Sequence, residues 1–144
     1  MRARIKVPEL NGRRGAFQLL FSAVYLVIGL SFVLLPTSSS RAEALAWLSV
    51  IHMPVEPFAF AWIAAALVGF VSAFLCRPAD WRGFAALTLA PALWGALFLA
   101  GSLFFGAPLM GVVSGILYWL LGATAMVVSN MSGPNDRDSR RVVV

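Results

Sequence analysis

The chain has 144 residues, 60% of them hydrophobic and 12% charged, with a net charge of +5 and a mean hydropathy of +0.86. Soluble globular domains are about 45–50% apolar and about 25% charged, so this chain lacks the polar surface such a domain needs. Intrinsic disorder is excluded by the same balance, since disordered chains are charge-rich and apolar-poor. The basic residues stand outside long apolar runs and do not interleave with them, which argues against nucleic acid as a partner. With one cysteine, Cys76, neither an intramolecular disulfide nor a CxxC pair can form. What remains is an integral membrane protein.

In chain order, residues 1–15 read as a basic tail carrying Arg2, Arg4, Lys6, Arg13 and Arg14. Beside anionic headgroups each such residue contributes roughly 1 kcal/mol. Four runs without Asp, Glu, Lys or Arg follow: Ala16–Leu35, Phe58–Cys76, Phe84–Phe105 and Leu109–Met131. About 20 apolar residues at 1.5 Å each span a hydrocarbon core of about 30 Å. One central charge costs roughly 2.5–3.5 kcal/mol, as much as five or more leucines return, and these runs contain none. The expected fold is therefore an all-α, four-helix membrane bundle over residues 16–131.

Between the first two runs, Ser40-Arg41-Ala42-Glu43 matches a capping box, and Ala44, Trp47, Leu48 and Ile51 follow at helical spacing. A short helix from Arg41 to about Ile51 could lie in the interface, or the segment could be a connector folded over the bundle. His52-Met53-Pro54-Val55-Glu56-Pro57 is irregular because of its prolines. One His, one Met and one Glu there lack the geometry of a metal site. In the third run Pro91 removes a backbone hydrogen bond and frees the Leu87 carbonyl, which predicts a kink that Thr88 or a neighbouring helix can relieve. Gly106-Ala107-Pro108 is a tight turn between antiparallel spans. Residues 132–144 have the composition of a flexible tail.

Orientation follows from Lys and Arg. The two tails and the loop holding Arg77 and Arg82 carry ten of them, and the opposite side carries only Arg41. The positive-inside rule places both termini in the cytoplasm. A secretory signal with Ala42-Glu43-Ala44 as its cleavage site is the rival for the first run. Signal cores are about 7–15 residues, and the run here is longer, as a permanent span is.

Small residues recur at four-residue spacing: Ala61, Ala65, Gly69 and Ala73 in the second span, Gly111 and Gly115 with Gly122 in the fourth, and Ala92, Ala96 and Ala100 in the third. Such faces let membrane helices approach closely, either within one chain or between chains. Charges inside the membrane mark ion paths and substrate sites, and none falls in these runs. No catalytic, cofactor-binding or metal-ligating constellation emerges, which disfavours enzymes and coupled transporters.

Arg13-Arg14-Gly15 enters the first span, Trp81-Arg82-Gly83-Phe84-Ala85-Ala86-Leu87 precedes Pro91-Ala92-Leu93, and the fourth span closes into Ser132-Gly133-Pro134. In this pattern the chain resembles the small four-span, holin-like membrane proteins of actinobacteriophage lysis cassettes. The resemblance implies homo-oligomerisation in the bacterial cytoplasmic membrane and a timed permeabilisation that admits an endolysin, with no cofactor. The paired Pro54 and Pro57 in a long outer loop depart from that pattern. A non-lytic membrane interaction protein, such as a phage exclusion factor or an accessory subunit, is the alternative; a small transporter is a third.

Overall fold

A computed structural model describes residues 10–34, 43–75 and 78–131, and among them there are only helices, turns and irregular backbone. Ser40 and Arg41 of the capping-box sequence and most of both tails lie outside the described residues. The helices are α1 (Gly12–Leu34), α2 (Trp47–Val50), α3 (Glu56–Ser72), α4 (Trp81–Phe104) and α5 (Met110–Ser129). Three of them, α1, α4 and α5, are long and apolar enough to cross a membrane. The fourth apolar helix, α3, is shorter, at 17 residues.

Two boundaries differ from the sequence expectation. Helix α1 begins at Gly12, so Arg13 and Arg14 belong to its first turn and not to a tail. The backbone there is anchored: the Asn11 amide donates to the Ala73 carbonyl at 3.0 Å. At the other boundary α3 stops at Ser72, four residues short of Cys76. The amides of Phe74 and Leu75 donate to Val71 and Ser72, three residues back. Such bonds tighten a last helical turn and end it.

Each long helix packs on the next in the chain, α1 on α3, α3 on α4 and α4 on α5, while α5 meets α1 only lightly. The turn into α5 is made at Gly106, whose φ of +67° suits a residue without a Cβ. The segment before α3 folds over the bundle: Ala44, Leu45 and Leu48 are buried in the core, and Trp47 stacks on Phe105 at 4.7 Å. The packed connector is thus the arrangement adopted.

Helix α1 is built inside out for a protein in water. Its buried residues are Arg14, Gly15, Gln18, Ser22, Tyr25 and Gly29, whereas Leu20, Val27 and Leu34 are 63–71% exposed. Turning large apolar side chains outward and polar ones inward is favourable when the solvent is lipid.

The bundle centre is aromatic. Tyr25 meets Trp62 edge-on at 4.7 Å, Phe32 stacks on Trp94 at 4.4 Å, and the Trp94 indole donates to the Phe58 carbonyl at 3.0 Å. Helix α4 continues through Pro91. The Leu87 carbonyl that Pro91 frees accepts the Tyr25 hydroxyl at 2.6 Å, while Thr88 donates to Phe84 at 2.9 Å. Compensation therefore comes from α1, one of the two sources the sequence offered.

Tyr25→Phe is expected to destabilise the detergent-solubilised protein by about 1 kcal/mol, as an unpaired buried carbonyl costs. In a Pro91→Ala background the backbone amide restored at that position can serve Leu87, so the same change should cost clearly less. Thermal unfolding of the four proteins measures that coupling; equal costs in both backgrounds would show that Leu87 does not depend on Tyr25.

Candidate functional site

The one polar cluster of the described interior sits where the start of α1, the start of α4 and the end of α5 converge. Arg14 donates through Nε to Asp80 Oδ2 at 2.8 Å, and both side chains are buried, 8% and 1% exposed. Its Nη1 reaches the carbonyl of Ser129, the last residue of α5, and that of Met131 just beyond it, the latter at 3.0 Å. A cation there also suits the negative end of the α5 dipole. Asn11 donates to Asp80 Oδ2 at 3.2 Å and Gln18 to the Asp80 carbonyl at 2.9 Å. The guanidinium carbon lies 4.6 Å from the centroid of the Phe84 ring, close enough for cation–π attraction.

Asp80 Oδ1, Gln18 Oε1 and Ser22 Oγ are buried without a protein partner. They lie along the inner face of α1 and its junction with α4. Beside the cluster a cleft of about 610 Å³ opens between α4 and α5, bounded by Arg14, Trp81, Phe84, Leu89, Met126 and Asn130.

The small-residue positions fall at contacts within the chain. Ala65, Gly69 and Ala73 are buried and Ala61 is half-buried. A Cβ on Gly69 would come within 2.5 Å of Ser22 Oγ and 3.2 Å of Leu87. On α5, Gly111 faces Ser102, Gly115 faces Leu99 and the Gly95 carbonyl, and Gly122 faces the Thr88 carbonyl and Pro91. The third-span stripe is left partly outward: Ala96 is exposed and Ala92 and Ala100 are only half-buried. Close approach is made instead at Gly95, where a Cβ would lie 2.8 Å from the Gly115 carbonyl. Trp119 covers that crossing and donates to the Ala92 carbonyl at 3.1 Å.

His52 is exposed in a turn with a φ of +54°, and no group of three potential metal ligands occurs among the described residues. Sequence reasoning missed the Arg14–Asp80 pair because it weighed Arg14 only as a topological charge and gave Asp80 no part. A signal existed: Asn11, Arg14, Gln18, Ser22 and Tyr25 recur every three or four residues on a helix otherwise apolar. No protein-family model, no curated protein and no solved structure matches this chain.

Breaking a buried pair strands a charge and costs about 3–5 kcal/mol. Asp80→Leu alone is therefore expected to lower thermal stability in detergent far more than the joint change Arg14→Leu with Asp80→Leu. If the double variant is the less stable of the two, the pair does not act as a unit. Gly69→Leu should likewise prevent folding, since Ser22 and Leu87 leave no room, whereas Leu67→Ile, at a site 59% exposed, should be tolerated. Size-exclusion profiles of the two variants make the comparison.

Proposed function

We propose that the chain is a four-span protein of the bacterial cytoplasmic membrane, both termini inside, acting holin-like by accumulating, self-associating and depolarising that membrane. The inverted α1, with its polar face in and apolar face out, is the observation that supports the membrane reading. Helix α3 supplies the fourth crossing; at ~1.5 Å per residue its 17 residues rise about 25 Å, which a locally thinned bilayer accommodates at modest cost. Charge supports the orientation: among the described residues every Lys or Arg, namely Arg13, Arg14 and Arg82, stands at one end of the bundle. Lysis is supported by the motif resemblance alone.

The second reading, a non-lytic membrane interaction protein, is favoured by one specific observation. The glycine and alanine faces of α3 and α5 that would serve self-association are occupied inside the chain.

Reporter fusions at Ser139 are expected to score cytoplasmic and insertions at Ser39 extracytoplasmic; a cytoplasmic score at Ser39 overturns the orientation drawn from Lys and Arg. Induced expression in a bacterial host should dissipate the membrane potential after a delay and with a steep dependence on membrane level. A potential-sensitive dye read beside quantified protein tests this. Abundant protein with potential and viability intact would reject the holin-like reading in favour of the interaction protein.

A further inference from the structure

The four long helices divide into two pairs. Packing is closest between α1 and α3 and between α4 and α5, and the pairs join mainly through α3 on α4. Their chemistry divides along the same line. Most of the close glycine approaches lie inside a pair: Gly15 against the Ala73 carbonyl, Gly29 against Ile63, Gly95 against the Gly115 carbonyl and Gly122 against that of Thr88. Gly83, which faces Ser72 and Gln18, is an exception. The hydrogen bonds between helices run mostly across the division. On the side of the first pair Asn11, Arg14, Gln18 and Tyr25 reach Asp80, Ser129 and Leu87 on the side of the second, and Trp94 donates back to Phe58.

A pair parted from its fellow would therefore keep its own tight packing. It would also present Arg14, or Asp80 and the Leu87 carbonyl, to hydrocarbon, where nothing can bond them. What fits each such face is the complementary pair, and a second copy of the chain offers it with the same residues at the same spacing. The connection is long enough. Six residues separate Ala73 from Asp80, and extended they reach about 23 Å, more than twice the roughly 8–10 Å between packed helices.

We infer that two copies of the chain exchange these pairs, α1 and α3 of each packing on α4 and α5 of the other about a two-fold axis. Each Asp80 then receives the Arg14 of the other copy. No new face is needed, so a chain whose close-packing positions are occupied can still self-associate. The inference rests on the membrane reading above and gives the proposed self-association its form. Closed and exchanged states share the same contacts between helices, which leaves the balance to concentration. The tether favours the closed copy when the protein is sparse, and accumulation favours exchange.

The test uses two full-length chains with different affinity tags, one Arg14→Leu and the other Asp80→Leu, expressed singly and together in one bacterial membrane. Alone, each strands a buried charge, which should lower its folded-to-unfolded ratio about a hundredfold or more. In an exchanged dimer one junction holds Arg14 with Asp80 and the other holds two leucines, so no charge is left over. Both chains are expected to recover when expressed together, each tag retaining the other chain, with a thermal stability near that of a single chain carrying both changes. An assembly of closed copies gives no such rescue, because every copy keeps its own stranded charge. Chains that stay as unstable together as apart, while the doubly substituted chain folds, overturn the exchange. Should leucine at both positions prevent folding, Arg14→Gln and Asp80→Asn form a second set read in the same way. Mutual rescue with the membrane potential intact upholds the exchange and counts only against the lytic reading.

Discussion

Arg14 and Asp80 are 66 residues apart and meet at 2.8 Å in a nearly dry site, and the end of the bundle is assembled around that contact. Each charge alone at such a position is expensive, and together they offset the cost of leaving water only if the geometry is good and the remaining hydrogen bonds are made. Most of those bonds are made here, by Asn11, by Gln18 through the Asp80 backbone, and by the α5 carbonyls. The consequence is specificity of arrangement more than net stability. A helix packed one turn out of register would separate the pair and strand both ions. Arg14 also reaches α5, more than a hundred residues away in sequence, which ties down a helix that otherwise leans almost wholly on α4.

The second constraint is the solvent. Lipid tails are as apolar as leucine, so burying apolar surface between helices gains nothing by itself. Helices must be held by close packing and by polar contacts, and both are present. Gly95 and Gly115 bring α4 and α5 nearly to backbone contact, with the Trp119 indole bonded across the crossing. Tyr25 satisfies the carbonyl that Pro91 leaves bare, which in hydrocarbon would otherwise have nothing to bond. The aromatic group around Trp62 and Trp94 then closes the centre, both rings being fully buried.

How far the sequence disclosed this depends on the range of the interaction. Apolar length is a local property, and the four runs and the Gly106 turn were legible from it. The fate of the Leu87 carbonyl was legible too, because proline acts on a fixed position four residues back. The end of α3 was not, since it rests on turn geometry that an unbroken apolar run to Cys76 conceals. The Ala92, Ala96 and Ala100 stripe is not the face α4 buries, because small size alone does not choose a face. The face of α4 was chosen by the large partners, Leu87, Trp94 and Phe98, which are buried together. The Arg14–Asp80 pair is the clearest omission. Counting charges by membrane side treats each as solvated, and only the fold reveals that two of them neutralise one another.

Using the small-residue faces inside the chain also constrains any larger assembly. A second copy cannot dock on Gly69 or Gly115 without unpacking α1 or α4, because those positions already touch Ser22, Leu87 and Leu99. What faces outward is mostly a belt of bulky side chains, among them Met110, Leu117 and Val127 on α5, 58–67% exposed. Contacts between such belts in lipid exchange one apolar neighbour for another, so each is weak. Association through them would be governed by mass action and would become extensive only when the protein is crowded. Any close interface between self-contained copies would therefore have to use positions other than those already spent on folding.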